Sequence, residues 1–192
     1  MRRYKLCLIG GKNVGKTALF IQFTLSHFAE EYDPIPQDYG DYIKQTILDD
    51  EVASLDISEA VSEASSQRYT EYIIRESDGF MLVYSITSRG SFEKIPELHQ
   101  DILRIRDNVP ILLVANKCDL AIERQVSTQE GRQLAERLGC HMFEASAKLE
   151  INVDNSFKCL ARKIRDSGIE TQSQRKNSRL SRFRKSLGCT IF

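Results

Sequence analysis

The fold is decided by residues 6–20, LCLIGGKNVGKTALF. A strand-like apolar run ends at Ile9, the segment GGKNVGKT follows at residues 10–17, and helically spaced apolar residues continue to residue 25. The middle segment matches the whole pattern G-x-x-x-x-G-K-S/T, in which backbone N–H groups surround phosphate oxygens. In such a loop Lys16 supplies a positive charge and the Thr17 hydroxyl can bind Mg²⁺. We therefore predict a phosphate-binding loop rather than an ordinary glycine-rich turn.

Strand-like and helical patterns alternate on both sides of this loop. Strands are predicted at residues 4–9, 42–48, 52–57, 80–86, 111–115 and 141–144, and helices at residues 17–25, 66–75, 91–106, 128–138 and 153–165. Parallel neighbouring strands require helical crossovers, so the alternation indicates an α/β domain with a mostly parallel sheet. The short turn at Asp49 and Asp50 predicts one antiparallel hairpin between the second and third strands.

Two polar loops follow the fifth and sixth predicted strands, at the sheet edge where open α/β sheets bind ligands. They are NKCD at residues 116–119 and SAK at residues 146–148. A carboxylate at Asp119 can accept hydrogen bonds from guanine N1–H and the exocyclic amine, whereas adenine lacks that paired donor edge. The mismatch would cost roughly 1–3 kcal/mol or more. Taken alone these residues could be a loop cap and a surface salt bridge, but their order after the phosphate loop predicts a guanine nucleotide.

Together these motifs resemble the Ras subfamily of small GTPases over about residues 4–166. The resemblance implies a three-layer P-loop G domain with a six-stranded, mostly parallel sheet and about five helices. It also implies GTP/GDP and Mg²⁺ as ligands, and an exchange factor, a GTPase-activating protein and effectors as partners. Asp119 would read the base, while Lys117 and Phe28 would flank the guanine ring. Asn116 would tie the base loop to the phosphate loop, and the Ala147 N–H would meet guanine O6. The nucleotide-binding residues that it implies are Gly10, Gly11, Lys12, Asn13, Val14, Gly15, Lys16, Thr17, Ala18, Phe28, Asn116, Lys117, Asp119, Ser146, Ala147 and Lys148.

The resemblance breaks down in the first switch segment. Residues 27–34, HFAEEYDP, resemble the entry into switch I, where the family continues with a threonine. That threonine binds Mg²⁺ and the γ-phosphate and orders the switch in the GTP state. Here Ile35 stands in its place and is followed by Pro36, which has no N–H to donate.

The second switch segment is altered as well. Residues 59–63, EAVSE, follow the third predicted strand where the family has D-T-A-G-Q. Glu59 keeps a carboxylate that could hold Mg²⁺ through a water, although its side chain is one methylene longer; Thr17 and Glu59 are the two metal candidates. Glu63 replaces the glutamine that orients the attacking water, so that it adds negative charge near an anionic transition state. The catalytic candidates are therefore Lys16, Glu59 and a degenerate Glu63.

Lys12 occupies a place where most Ras proteins have glycine. It could act as a cation that partly neutralises the γ-phosphate, or as a bulky group that blocks a GTPase-activating partner, and we favour the second interpretation. Because the changes all fall on the γ-phosphate side, we expect nucleotide binding with weakened hydrolysis. The alternative is a pseudo-GTPase, an interaction module that binds nucleotide without effective turnover. An ATP-using P-loop kinase is disfavoured by the guanine-reading loop.

The remaining sequence, residues 167–192, predicts a flexible basic tail on a domain of residues 1–166. Its six basic residues and one acid give +5, and since the whole chain is neutral the domain carries −5. The ending CTIF fits C-a-a-X, which predicts prenylation of Cys189, and a terminal Phe favours geranylgeranyl. A lipid together with basic residues predicts attachment to the cytoplasmic face of the plasma membrane, or alternatively of an endomembrane. Nucleic acid is not expected as a partner, because the tail has too few aromatic residues to stack bases.

Overall fold

The computed structural model describes residues 1–28, 42–61, 67–168 and 171. The strands are β1 (Arg2–Gly10), β2 (Tyr42–Leu48), β3 (Glu51–Val61), β4 (Gly79–Ser85), β5 (Ile111–Asn116) and β6 (His141–Glu144). The helices are α1 (Lys16–Leu25), α2 (Gln67–Glu76), α3 (Arg89–Glu93), α4 (Ile95–Ile105), α5 (Thr128–Arg137) and α6 (Val153–Asp166), and a short 3₁₀ turn covers Ala121–Glu123. Almost all of the predicted tail lies outside the described residues.

The six strands form one sheet in the order β2-β3-β1-β4-β5-β6. Among the described strands β2 and β3 are antiparallel and all other neighbours are parallel, as predicted. Asp49 and Asp50 both have positive φ, 48° and 67°, which is the backbone that a two-residue hairpin turn requires. Arg162 and Arg165 of α6 form ion pairs with Asp49 at 3.0 and 2.9 Å, so this turn also contacts the last helix.

Helices cover both faces of the sheet, which makes the three predicted layers. Alternate residues of β1 point to opposite faces, because successive side chains of a strand do so. Leu6 and Leu8 pack in the core with α1 and α6, while Cys7 and Ile9 pack in the core with α2, α4 and α5. The predicted α/β class is therefore confirmed. None of the helices in the described part of the chain is long and apolar enough to cross a bilayer.

The predicted helix at residues 91–106 is divided in two. Its first part begins earlier, at Arg89, where the Ser88 side chain accepts a hydrogen bond from the Ser91 N–H. The interruption falls at Lys94, two residues before Pro96 in the first turn of α4. Proline has no N–H to donate to the carbonyl four residues earlier, so the helix ends and restarts there. With α3 and α4 taken as one interrupted helix, the expected number of about five is met.

The third strand is longer than predicted. We expected it to end at residue 57, with Glu59 in the following loop, but β3 continues to Val61. The prediction was wrong because the polar residues Ser58 and Glu59 looked like the end of an apolar strand. The length of β3 is instead set by its pairing with β1. Leu8 pairs with Glu59 and Gly10 pairs with Val61, so β3 runs beside β1 as far as the phosphate loop begins. Glu59 consequently projects from a strand whose position the sheet fixes.

The packing of α1 against α6 gives a prediction about stability. The rings of Phe23 and Phe157 are stacked with centroids 4.1 Å apart, and Phe157 is fully buried. We expect Phe157→Ala to lower the free energy of unfolding by about 3–5 kcal/mol, since it removes a large side chain from a packed core. In the same urea titration Leu25→Ala, at a position 68% exposed, should change it by less than about 0.5 kcal/mol. Equal effects of the two substitutions would contradict this packing.

Candidate functional site

A cleft of about 870 Å³ lies at the carboxyl end of the parallel strands. It brings together distant segments of the chain: the loop before α1 with the first turn of that helix, Phe28 after α1, the end of β3, the loop after β5 and the loop after β6. Every lining residue except Leu120 is one that the sequence singled out. The lining residues are Lys12, Asn13, Gly15, Lys16, Thr17, Ala18, Phe28, Glu59, Asn116, Lys117, Asp119, Leu120, Ala147 and Lys148.

The backbone of the loop at residues 10–17 depends on two glycines. Gly15 has a φ of 88°, in the left-handed region, directly before α1 begins at Lys16. A Cβ on Gly10 would lie 2.2 Å from the Val83 carbonyl oxygen, so β1 can approach β4 this closely only without a side chain there. The loop therefore turns tightly from the end of β1 into the N-terminus of α1, where free N–H groups favour anions.

Lys16 is folded into this loop. Its ammonium donates hydrogen bonds to the carbonyl oxygens of Gly10 at 3.1 Å and Gly11 at 2.8 Å, and the residue is 5% exposed. Burial lowers the pKa of Lys16, while the nearby carboxylate of Glu59 raises it. The arrangement places one positive charge beside the N-terminus of α1, as an anion-binding loop requires.

Thr17 and Glu59 meet at the edge of the same cleft. The Thr17 hydroxyl donates a hydrogen bond to Glu59 Oε2 at 3.1 Å. Burial raises the pKa of Glu59, and the bond from Thr17 and the charge of Lys16 act in the opposite direction. A hydroxyl beside a carboxylate is an oxygen donor set of the kind that Mg²⁺ prefers, and such side chains bind it together with substrate phosphates. These two residues therefore fit the ion implied by the phosphate loop.

Asn116 joins the phosphate loop to the loop after β5. It is the last residue of β5 and is 1% exposed. Its Nδ2 donates to the Val14 carbonyl at 2.9 Å and to the Gly15 carbonyl at 3.4 Å. Within the described part of the chain its Oδ1 has no hydrogen-bond partner, so this buried oxygen can accept from a donor. The contact that we expected between Asn116 and the phosphate loop is present.

The loop after β5 presents Lys117 and Asp119 to the cleft. Lys117 has a φ of 65°, which turns the chain sharply after the strand. The Leu120 N–H donates to the Lys117 carbonyl at 2.9 Å, and the Cys118 N–H donates to the Ala145 carbonyl at 3.0 Å. The second bond attaches this loop to the end of β6, beside Ala147. Leu120 also lines the cleft, and the sequence analysis did not identify it. The only feature of the sequence that could have pointed to it is its position next to Asp119.

Four of the expected nucleotide-binding residues lie behind the lining rather than in it. The carbonyls of Gly10, Gly11 and Val14 accept the bonds from Lys16 and Asn116 described above. Ser146 is fully buried, its N–H donates to the Ile151 carbonyl, and its hydroxyl oxygen accepts from the Leu149 N–H, each at 3.0 Å. These residues shape the two loops. Ile35, Pro36, Ser62, Glu63 and Cys189 lie outside the described residues.

Comparison with known proteins agrees with this geometry. The family model of the Ras family matches residues 5–166. A Ras-like protein of Laccaria bicolor is 48% identical over 167 residues, which cover 86% of this chain and 79% of that protein. The chain belongs to the Ras family. It is a Ras-like small GTPase, and the members of this family bind guanine nucleotide, generally with Mg²⁺, and act with regulators and effectors.

The two adjacent glycines of the phosphate loop offer a matched test of its geometry. We expect Gly10→Ala to destabilise the nucleotide-free protein by about 2–3 kcal/mol, because the new methyl group would overlap the Val83 carbonyl. Gly11→Ala should cost less than about 1 kcal/mol, since the nearest atom to its new methyl group would be a Val14 methyl carbon at 3.9 Å. Chemical denaturation of both variants measures the difference. A larger loss for Gly11→Ala than for Gly10→Ala would refute the loop geometry.

Proposed function

We propose that the cleft binds GTP and GDP, with the phosphates against residues 10–18 and the guanine base against residues 116–119 and 146–148. The observation that carries this proposal is the bond from Asn116 Nδ2 to the Val14 carbonyl at 2.9 Å. It holds a phosphate-binding loop and a loop with the guanine-selective Asp119 around one cleft. Phe28 and Lys117 also line that cleft and would flank the ring.

Thr17 and Glu59 are the residues that we propose for the Mg²⁺ site, Glu59 acting through a water. Bound Mg²⁺ would neutralise charge on the β- and γ-phosphates. The side chain of Glu59 is one methylene longer than the aspartate of the family. Because β3 holds its backbone beside Leu8, the longer side chain has to be accommodated within the cleft. The ammonium of Lys16, which lies within the same loop, would balance part of the phosphate charge.

We further propose that GTP hydrolysis is slow. Glu63 stands at the place of the water-orienting glutamine, and Ile35 at the place of the switch I threonine. An additional carboxylate near the attacking water opposes the negative charge that develops in the transition state. Lys12 lines the cleft and would occupy space that an activating partner needs.

A pseudo-GTPase is the second candidate, and the residues that favour it are Ile35, Glu59 and Glu63. In that case the nucleotide would stabilise an interaction surface and would not be turned over at a useful rate. The two candidates share the binding cleft and differ in the rate of the chemical step. Single-turnover hydrolysis therefore distinguishes them.

Glu63→Gln should increase the single-turnover rate of GTP hydrolysis by at least about tenfold, since it removes the opposing charge and restores a hydrogen-bond donor. Glu51→Gln is the matched control, because Glu51 is an exposed carboxylate at the other end of β3. The rate is measured on protein preloaded with GTP in millimolar Mg²⁺. A wild-type rate equal to that of an ordinary Ras protein would refute slow hydrolysis, and a Glu63→Gln variant that never turns over would favour the pseudo-GTPase.

We also propose that the protein signals from the cytoplasmic face of a membrane, held by a prenyl group on Cys189 and by its basic tail. One lipid chain binds a membrane only marginally, and the tail charge of +5 supplies the second signal. Each basic residue near an anionic surface contributes about 1 kcal/mol. The domain itself carries −5, so its net charge does not attract it to an anionic surface.

Cys189→Ser should release the protein from membranes into the soluble fraction, because no thiol remains at the prenylation site. Thr190→Ser is the control, since it keeps the C-a-a-X pattern. Fractionation of cells that express each variant measures the distribution. Membrane retention of Cys189→Ser at the level of the control would exclude lipid anchoring at this residue.

A further inference from the structure

A polar contact joins the helix on the phosphate side of the cleft to the loop on its base side. Gln22 lies in α1, the helix that begins with Lys16 and Thr17. Its Nε2 donates a hydrogen bond to Oε1 of Glu150, in the loop between β6 and α6 that carries Ala147 and Lys148. The two residues are 128 positions apart. Gln22 is 6% exposed. If Glu150 moved away, the buried amide of Gln22 would lose this hydrogen bond, which is energetically unfavourable.

The loop that carries Glu150 is compact and turns sharply. Glu150 and Asn152 have positive φ, 58° and 55°, although neither is glycine. The Ser146 N–H bonds to the Ile151 carbonyl at 3.0 Å, and Asn152 Nδ2 bonds to the Glu144 carbonyl at 2.8 Å. These two bonds join the beginning of the loop to its end and so fix its shape. The bond from Gln22 to Glu150 fixes its position against α1.

The position of Gln22 is itself well defined. The neighbouring Phe23 stacks on Phe157 of α6, with ring centroids 4.1 Å apart. The ammonium of Lys44, from β2, lies 4.2 Å from the centroid of the Phe23 ring and also donates a hydrogen bond to the Phe23 carbonyl. This end of α1 is therefore held from two sides, and it offers Glu150 a fixed partner.

We propose that the bond between Gln22 and Glu150 holds the loop of residues 146–150 in position over the base and so slows release of the nucleotide. Both are positioning residues, because neither side chain lines the cleft. Release of a ligand from a cleft requires local opening of the elements that cover it, and a hydrogen bond that must break during this opening slows it. This inference rests on the proposed binding of guanine nucleotide.

A charge exchange tests the inference. Gln22→Glu places two carboxylates face to face and should speed dissociation of fluorescently labelled GDP about tenfold. Glu150→Gln alone keeps an amide pair and should have a smaller effect. The double variant Gln22→Glu/Glu150→Gln restores one amide and one carboxylate in exchanged places, at the net charge of the wild type. Its dissociation rate should return to within about twofold of the wild type, because the coupling belongs to the pair.

Glu51→Gln is the control for the loss of a carboxylate, since Glu51 is exposed at the far end of β3. It should leave GDP dissociation unchanged. The inference is overturned if Gln22→Glu leaves the rate unchanged, if the exchanged pair dissociates as fast as Gln22→Glu, or if Glu51→Gln changes the rate as much as Gln22→Glu does. Failure of the wild type to bind labelled GDP would instead overturn the proposed function, and the inference with it.

Discussion

The hydrogen bond from the buried Asn116 amide to the Val14 carbonyl, 2.9 Å long, is the constraint on which the site depends. Asn116 ends β5 and Val14 lies in the loop between β1 and α1, so the bond joins two crossover units of the sheet. Each of the two loops alone is a common feature of α/β proteins, one for phosphate and one for a polar ligand. Their attachment to each other defines a single cleft of about 870 Å³ that both loops line.

Charge is distributed in this cleft in a way that suits a phosphate ligand. The buried ammonium of Lys16 lies beside the N-terminus of α1, and the partly buried carboxylate of Glu59 accepts from Thr17. Burial shifts the pKa of Lys16 downward and that of Glu59 upward, and each is opposed by the charge of the other. A bound phosphate would pair with the Lys16 ammonium and a metal ion would pair with the Glu59 carboxylate, so the local electrostatics favour binding of both.

Much of this arrangement could be predicted from the sequence, because its signals are local. The strand and helix patterns, the two-aspartate turn and the two nucleotide loops each occupy a few consecutive residues. The continuation of β3 to Val61 could not be predicted, since it depends on pairing with β1 some fifty positions away. The bond between Gln22 and Glu150 could not be predicted from the sequence either. A polar residue on a helix and an acidic residue in a loop are both common, and nothing in the sequence links the two. Pro96 indicated that the helix is interrupted near Lys94. We predicted one continuous helix because the apolar residues keep a helical spacing across this point.

The most direct test of guanine selection at this cleft is titration of nucleotide-free protein with GDP and with ADP in millimolar Mg²⁺, by calorimetry. We expect GDP to bind at least about a hundredfold more tightly than ADP, because only guanine offers paired donors to Asp119. We also expect Asp119→Ala to remove most of this preference and to leave the fold intact. Equal affinity for the two nucleotides, or no uptake of GDP by the folded protein, would contradict a guanine-nucleotide site.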